Sequence, residues 1–400
     1  MKVLHILYQS LPQISGSSIR SRDILMSQQA FGLEVLAITS PFQNAEEVKE
    51  TLNGVPYYRT AIHNKDSISD LGKPVYQRIL RLFKIRSFYS AIKRIIEKER
   101  PAILHAHAMF FCGLPAVRLG KKFNIPVVYE VRSLWMLNKQ DTKTGWVKRV
   151  IEKLLFKLEL YVMHKATVVI AINERLKTTL VENGIAEDKI RLVKNAVNTE
   201  LIDILKNKIV DNTISTEEHF GYIGTLTPHE GIDMLIRAFS EVRKKHTEAK
   251  LFIYGSGIES SKIKTMTEKQ AGVMFLGPVN PIEIHNAFSK IGIVVNPRYK
   301  NKLTDAVTPL KPLEAMAYEK IFIGSDVGGI LELVTDNYNG FLFPAGNEIA
   351  LAERMCQVIQ MEKAKKKQVI AQALGYVVAN RSWITNAEYY AKIYNTIAKC

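Results

Sequence analysis

The segment Val307–Ala317 contains the residue types that would hold a phosphorylated ligand. The apolar runs Ile291–Pro297 and Ile321–Ser325 on either side of it are predicted to be buried parallel strands, with a helix between them. A helix that begins at the carboxyl edge of a parallel sheet presents free N–H groups and the positive end of its dipole. Lys311 adds a cation there, and Glu314 a carboxylate about one turn further on. This arrangement suits a sugar nucleotide, with the pyrophosphate at the helix start and the carboxylate at the ribose hydroxyls.

The residues before this helix predict where it starts. Thr308 precedes Pro309 and is expected in a loop, because the residue before a proline avoids the helical conformation. A proline suits the first turn of a helix. The helix is therefore expected over Leu313–Tyr318, with its start near Leu310.

Other candidates follow the ends of predicted strands. In the second half, the turn Gly224–Gly231 leads from a strand end to a helix start, and small residues at the next strand ends leave room for a base or ribose. In the first half, the turn at Gly16 opens a helix that favours phosphate. The residues predicted to bind the sugar nucleotide, the donor of a sugar, are Gly16, Gly224, Thr225, Glu230, Gly255, Gly277, Arg298, Lys302, Thr308, Leu310, Lys311 and Glu314.

Two further pairs in the first half end predicted strands. His105 and His107 share one face of a strand, which raises the question of metal binding, but no Cys, Asp or Glu lies near them in sequence. A structural or substrate hydrogen-bonding role is therefore expected, without a metal. Glu130 and Arg132 share a face of the next strand, either as a charged pair at a ligand or as a surface salt bridge.

Strand-like and helical segments alternate in both halves of the chain, which predicts an α/β fold. We expect two Rossmann-like domains, each a doubly wound parallel sheet, facing each other across a cleft that is lined by the strand carboxyl ends. A charged stretch near 203–218 is the candidate boundary. The predicted domains are residues 1–205 with the terminal helix 383–400, and residues 206–382.

Composition limits the class of protein. The chain has 400 residues, 47% of them apolar, enough for two cores. Its three cysteines form no C-x-x-C motif, which argues against a disulfide framework or a zinc knuckle and favours the cytoplasm. No apolar stretch approaches the roughly 20 residues that cross a bilayer, and the N-terminus is expected to be a strand rather than a signal sequence.

The net charge of +16 favours an anionic partner. No recognition helix, RNA-binding signature or zinc finger is present, and nucleic acid is not expected. Basic residues alternate with apolar ones in Lys73–Arg100 and Trp146–Leu158. Such helices are expected at the inner face of the cytoplasmic membrane, although an ordinary solvated helix face over a core would give the same pattern.

The motifs together resemble the retaining glycosyltransferases of glycosyltransferase family 4, which have the GT-B fold. The resemblance spans nearly the whole chain and is carried by Gly224-x-x-x-x-x-Glu-Gly231, the block that ends at Ala317, Gly328-Gly329 with Glu332, and Asn195-Ala-Val-Asn198. The opening Leu4–Arg22 and Tyr129–Trp135 are similar to a bacterial exopolysaccharide- and exosortase-associated subgroup. The resemblance implies that Glu314 contacts the donor ribose, that Thr308–Lys311 face the phosphates and sugar, and that the C-terminal helix crosses back onto the first domain.

The chain departs from the family pattern at three places. The first Glu of the family motif is replaced by Ala306, with Asp305 beside it as a substitute sugar contact. The usual Arg and Lys of the glycine turn are Thr225 and Glu230, which leaves Arg298, Lys311 and Lys302 to meet the phosphate charge. Arg132 stands near where many members have a His, and an arginine can bind a hydroxyl, carboxylate or phosphate but cannot act as a base.

The predicted reaction is transfer of a hexosyl unit, with retention, from a nucleotide diphosphate sugar to a glycan or polyprenyl-linked acceptor in cell-surface polysaccharide synthesis. Arg132, His107 and Asp305 are the catalytic candidates. The sequence contains no D-x-D, so neither an essential metal nor another cofactor is expected. Two alternatives stay open: a nucleotide-sugar 2-epimerase, and a catalytically silent nucleotide-sugar binder or membrane scaffold.

Overall fold

The chain forms two compact units, and each is an α/β structure. A computed structural model describes residues 1–13, 15–61, 75–132, 146–198, 203, 218–280 and 283–398. The first unit comprises Met1–Lys194 and Trp383–Cys400, and the second comprises Asn195–Ser382. The predicted boundary at residue 205 falls among residues 199–217, of which only Asp203 is described.

The first unit is built on an eight-stranded sheet in the order β3-β4-β2-β1-β5-β6-β7-β8. All neighbouring strands are parallel except β3 and β4. The strands are β1 Lys2–Leu7, β2 Glu34–Thr39, β3 Lys49–Leu52, β4 Val55–Tyr58, β5 Ile103–His107, β6 Val127–Val131, β7 Val168–Ala171 and β8 Ile190–Leu192.

Helices cover both faces of this sheet. They are α1 Gly16–Ala30, α2 Val75–Glu99, α3 Phe110–Phe123, α4 Trp146–Lys165, α5 Glu174–Glu182 and, returning from the end of the chain, α14 Trp383–Ala398. Helix α3 packs against both α2 and α4, and α1 packs against α14. The terminal helix thus belongs to the first unit, as the family resemblance implies.

The second unit has six parallel strands in the order β11-β10-β9-β12-β13-β14. They are β9 Phe220–Ile223, β10 Leu251–Tyr254, β11 Val273–Gly277, β12 Ile293–Asn296, β13 Ile321–Ser325 and β14 Phe341–Phe343. The helices are α6 Ile232–Lys245, α7 Ser260–Glu268, α8 Ile284–Ser289, α9 Lys302–Ala306, α10 Lys311–Ala317, α11 Gly328–Leu331, α12 Glu348–Gln360 and α13 Lys363–Asn380.

Both faces of the second sheet are buried, as a doubly wound sheet requires. One core contains Tyr222 and Val295 with residues of α6 and α12. The core on the opposite face contains Ile223 and Val294 with residues of α10 and α13. Successive strand residues therefore enter different cores, which explains the continuous apolar runs in the sequence. The predicted doubly wound parallel sheets are confirmed in both units.

Element boundaries differ from the sequence prediction in identifiable places. Strands β3, β4 and β8 were not predicted, because Lys49–Leu52 is largely polar and partly exposed, and Pro56 and Arg191 interrupt the apolar character of the other two. Helix α3 contains Pro115 in its interior, although a proline is ordinarily expected in the first turn. Asn124 ends this helix in the left-handed conformation, which asparagine tolerates better than most residues.

Candidate active site

In the second unit, two cations share one buried carboxylate at the carboxyl edge of the sheet. Glu230 lies in the turn after β9, Arg298 follows β12, and Lys311 is the first residue of α10. The Arg298 Nη2 donates to Glu230 Oε1 at 2.9 Å, and the Lys311 Nζ donates to Glu230 Oε2 at 3.1 Å. Glu230 and Arg298 are buried, and Lys311 is partly exposed. The structure thus brings together three of the predicted donor-binding residues.

Gly224 makes room for the Lys311 side chain. It has a φ of +155°, and a Cβ at this position would lie 2.2 Å from Lys311 Cε. The ammonium lies over the Tyr222 ring, 5.2 Å from its centroid. The Tyr222 hydroxyl donates to the Thr225 carbonyl at 2.8 Å. Gly224 was predicted for its closeness to a ligand, and in this structure it allows close approach of the lysine.

The charges in this cluster do not cancel. Burial alone would raise the pKa of Glu230, but the neighbouring Arg298 and Lys311 hold it well below its usual range. Glu230 is therefore an anion at neutral pH, and with Arg298 and Lys311 it leaves one net positive charge. Glu230 stands where the family places a cation, and it acts here by orienting two other cations.

The loop before α10 is fixed by hydrogen bonds from its surroundings. Arg298 Nη1 donates to the Val307 carbonyl at 3.3 Å, and Asn195 Nδ2 donates to the Thr308 carbonyl at 2.6 Å. The Thr308 hydroxyl donates to Glu332, which also accepts from Arg381. These contacts give Asn195 and Glu332, which carried the family resemblance, a positioning role that sequence reasoning did not find.

The glycine pair after β13 supports the same loop. A Cβ on Gly329 would lie 2.1 Å from the Val307 carbonyl oxygen, so a larger residue would displace the loop. The amide of the neighbouring Gly328 donates to Asp305 Oδ1 at 2.8 Å. Asp305, the predicted sugar contact, thus holds the start of α11, and a sugar hydroxyl would have to share its carboxylate with this backbone group.

The remaining predicted donor residues occupy varied positions. Leu310 is the N-cap residue of α10, and Glu314 is half-buried in its first turn. Gly255 follows β10 and donates its amide to the Gly277 carbonyl at 2.7 Å. Thr225 and Lys302 are exposed. Gly16 belongs to the first unit, where Ser15 caps the helix that it begins.

In the first unit, a buried carboxylate is the centre of a second polar cluster. Glu130 Oε1 accepts from Arg20 Nε at 3.1 Å and from Arg132 Nε at 2.8 Å. Its Oε2 accepts from the Tyr390 hydroxyl of α14 at 2.5 Å. Glu130 is fully buried, so the alternative of a surface salt bridge is wrong. Burial would raise its pKa, but the two guanidinium groups hold the pKa well below its usual range.

Arg132 fixes the tautomer of the neighbouring His107. Its Nη2 contacts His107 Nδ1, and because a guanidinium can only donate, this nitrogen accepts and the ring hydrogen is on Nε2. Nε2 of His107 lies 2.8 Å from His5 Nδ1, and His5 Nε2 lies 3.0 Å from Gln28 Oε1. Burial lowers the pKa of His5 and His107 well below the usual range, so both rings are neutral.

The hydrogen bonds continue from Gln28 through Tyr394 to His105. Gln28 Nε2 donates to the Tyr394 hydroxyl at 2.9 Å, and that oxygen lies 2.7 Å from His105 Nδ1. His105 Nε2 lies 3.4 Å from Glu130 Oε2. The predicted residues Arg132 and His107 therefore belong to one buried polar cluster, in which the His105 Nε2 contact with Glu130 falls short of a hydrogen bond. His5 also belongs to this cluster; as a polar residue within the apolar run of β1, it could have been noticed in the sequence.

Nitrogen atoms of His5, His105 and His107 lie within 4.8 Å of one another, a spacing that a metal ion could use. The donor set does not fit a metal well, because a histidine that binds through Nε2 keeps its hydrogen on Nδ1. On His107 that hydrogen would point at the Arg132 guanidinium, which must donate to the same atom. Both nitrogens of His107 are engaged in hydrogen bonds here, which leaves it no lone pair for a base.

Family comparisons match both units. The family described as Glycosyltransferase Family 4 matches residues 14–201, and the family described as Glycosyl transferases group 1 matches residues 203–374. The chain is a glycosyltransferase of the GT-B type. The resemblance also implied a retaining reaction and an exopolysaccharide-associated subgroup. These two remain predictions, because the matches identify only the GT-B glycosyltransferase class.

This GT-B glycosyltransferase is similar to known proteins over long stretches. It is 25% identical to the capsular polysaccharide biosynthesis glycosyltransferase CapM of Staphylococcus aureus, over 69% of this chain and 73% of CapM. A sucrose-phosphate synthase from Thermosynechococcus elongatus has a TM-score of 0.77 at 18% identity, over 99% and 98% of the chains. Anabaena HepE in complex with UDP-glucose has a TM-score of 0.72 at 15% identity, over 99% and 100%.

Proposed function

We propose that this GT-B glycosyltransferase transfers a hexosyl unit from a nucleotide diphosphate sugar to a hydroxyl of a lipid-linked acceptor, with retention at the anomeric carbon. The product would be a precursor of a cell-surface polysaccharide. The observation that carries the proposal is the cluster of Arg298 and Lys311 around Glu230, with its net positive charge at the carboxyl edge of the second sheet. Ligands of doubly wound sheets bind beyond this edge.

The cluster has the chemistry that the leaving group needs. As the glycosidic bond to the donor breaks, negative charge accumulates on the departing diphosphate. Preoriented cations stabilise such charge more than they stabilise the ground state, which lowers the barrier. Lys311 is partly exposed and can contact a phosphate oxygen, while the buried Arg298 supports Glu230 and the Val307 carbonyl. Because these side chains supply the charge, we propose a reaction without an essential metal.

Glu314 is proposed to bind the donor ribose. It lies in the first turn of α10, as Lys311 does, and is half-buried. A carboxylate accepts hydrogen bonds from both ribose hydroxyls, and each charge-assisted bond is stronger than a neutral one. One short helix would thus contact two parts of the same donor.

The relatives support a sugar-nucleotide donor and a polysaccharide product. Anabaena HepE was crystallised with UDP-glucose, and CapM acts in capsular polysaccharide biosynthesis. The acceptor is proposed to bind the first unit, where Arg132 lies at the end of β6. No helix in the described part of the chain is long and apolar enough to span a membrane. We propose that the enzyme works in the cytoplasm and meets its lipid-linked acceptor at the inner membrane face.

The test is a transfer assay with purified protein. UDP, GDP and ADP sugars are each incubated with polyprenyl-phosphate-linked acceptors, and products are identified by mass spectrometry and proton NMR. The proposal predicts a glycosylated acceptor that keeps the donor's anomeric configuration, with the rate unchanged by EDTA. An epimerised donor, an inverted product, or binding without turnover would each contradict it.

A further inference from the structure

Helix α4 exposes large apolar side chains along the middle of its outer face. Val150, Leu154 and Tyr161 are 46%, 58% and 44% exposed. At about 100° per residue, the three fall within about 40° of one another around the helix axis. The buried residues Glu159 and Met163 lie on the opposite side of the helix. An ordinary solvated helix would have polar residues at these outward positions.

The charges of α4 are separated between the same two faces. Lys153, Lys157 and Lys165 are exposed and border the apolar residues. Among residues 150–165, the two acids Glu152 and Glu159 are buried. Glu159 accepts hydrogen bonds from the Tyr129 hydroxyl and from the Phe110 amide, which lie beneath the helix. The outer face in this range is therefore apolar and cationic, without an exposed acid.

Neighbouring helices extend the positive surface. Helix α3 packs against α4 and exposes Arg118, Lys121 and Lys122. Helix α2 packs against the other side of α3 and exposes Arg94 and Lys98. In residues 84–99, 110–123 and 150–165 of these helices, the exposed acid is Glu97, which pairs with Lys93.

We propose that the outer face of α4, with the adjoining cations of α3, docks on an anionic lipid bilayer. Apolar side chains flanked by lysines are the combination that inserts at the boundary between headgroups and acyl chains. The lysines contact anionic headgroups, and their stems follow the apolar surface. A purely acidic protein partner would not explain three large apolar residues at the centre of the positive face.

The orientation of α4 links this surface to the acceptor. In a parallel sheet, the helix between two strands runs antiparallel to them, so α4 begins at the carboxyl edge where β6 ends. Val150 and Leu154 lie in the first half of α4, nearer that edge than Lys165, and Arg132 follows β6. This step rests on the proposed function, because a docked helix α4 would bring the edge close to a lipid-linked acceptor.

The surface is tested by flotation of the full-length protein with lipid vesicles. Vesicles of phosphatidylcholine alone are compared with vesicles that contain about 30 mol % phosphatidylglycerol. The variant Lys153→Glu with Lys157→Glu should bind anionic vesicles at least about tenfold more weakly. Leu154→Ser with Tyr161→Ser should bind several-fold more weakly. The matched controls are Lys264→Glu with Lys269→Glu for charge and Ile349→Ser for an exposed apolar residue, all in the second unit.

The outcomes separate this surface from the proposed reaction. Anionic-lipid binding that only the α4 variants lose supports the surface, whether or not the protein transfers sugar. Sugar transfer by a protein that does not bind anionic vesicles, or equal losses of vesicle binding in the control variants, would overturn the proposed docking surface. Either result would leave the proposed reaction intact. A dimer in light scattering that Leu154→Ser dissociates would show that the face binds a second copy instead. The α4 variants should keep wild-type rates on a water-soluble acceptor.

Discussion

Lys311 Nζ and Glu230 Oε2 lie 3.1 Å apart, and the other oxygen of the same carboxylate accepts from Arg298. The residue that replaces a family cation in the glycine turn is thus an acid that aligns two cations from elsewhere in the second unit. Two donors of Arg298, Nε and Nη2, share Glu230 Oε1 and fix the guanidinium, while the lysine at the partly exposed edge is left to meet a ligand.

Replacement of Lys311 by alanine should weaken donor use strongly. A charged contact made in the transition state contributes about 2–3 kcal/mol, which is some 30- to 150-fold in kcat/KM. The measurement is steady-state kinetics with the preferred donor at saturating acceptor. Lys264→Ala, an exposed lysine on α7, is the control and should behave as wild type. Unchanged kinetics for Lys311→Ala would remove this residue from the site.

Replacement of Glu314 by alanine should lower kcat/KM by a similar factor, through the ribose. Wild type should prefer the ribonucleotide donor over its 2′-deoxy or 3′-deoxy analogue, because the analogue leaves the carboxylate with one hydrogen bond fewer. Glu314→Ala should lose this preference. A double-mutant cycle of enzyme and donor measures the coupling directly. If the variant discriminates as well as wild type does, Glu314 does not contact the ribose.

Replacement of Glu230 by glutamine should destabilise the second unit. The change leaves Arg298 buried without its counter-charge, and breaking one partner of a buried ion pair costs about 3–5 kcal/mol. Urea unfolding followed by far-ultraviolet circular dichroism measures the loss. Glu241→Gln, which breaks an exposed pair with Lys244, should change stability by less than about 1 kcal/mol. Equal effects of the two substitutions would mean that the buried cluster contributes no more to the free energy of unfolding than an exposed ion pair does.

The buried histidines predict that the first unit becomes less stable as the pH falls. Burial holds the pKa of His5 and His107 well below the usual value of about 6.5, so the unfolded chain takes up protons that the folded one does not. Stability should therefore fall below about pH 6.5, by up to about 1.4 kcal/mol per pH unit for each neutral histidine. The charged groups that face these rings are Glu130 and Arg132.

Tryptophan fluorescence isolates this transition, because the three tryptophans of the sequence, at positions 135, 146 and 383, all fall outside the range Asn195–Ser382 of the second unit. Urea unfolding at several pH values gives the slope of the unfolding free energy against pH. This slope should be smaller in His5→Gln, which lacks one titrating ring. His164→Gln, at an exposed position of α4, should keep the wild-type slope. A stability that does not change between pH 7 and about pH 5, or a slope that His5→Gln leaves unaltered, would contradict the neutral ring.

Much of this fold could be predicted because parallel strands buried on both faces are continuous apolar runs. The central strands β1, β6 and β12 were found in this way, but the polar edge strand β3 was not. Contacts between residues that are far apart in the sequence could not be predicted from local sequence patterns. Tyr390 lies 260 residues from Glu130, and nothing in the aromatic spacing of α14 indicates that its hydroxyl reaches that carboxylate.

The candidate site was predicted to a similar extent. Arg298, Lys311 and Glu314 were predicted as site residues from their places at strand ends and at a helix start, and the structure brings the first two together on one carboxylate. Glu230 was noticed as a departure from the family, yet its pairing with two cations depends on how β9, β12 and α10 meet. Asp305 shows the opposite case, because a sequence position suited to a sugar contact carries a backbone hydrogen bond in the structure.

The central claim is that the second unit binds the donor diphosphate through Lys311, supported by Arg298, with Glu314 at the ribose. A crystal structure with the intact nucleotide sugar tests it most directly. The prediction is a phosphate oxygen within about 2.7–3.2 Å of Lys311 Nζ and ribose hydroxyls at the same distance from Glu314. A diphosphate bound elsewhere, with Lys311 still paired only to Glu230, would contradict it.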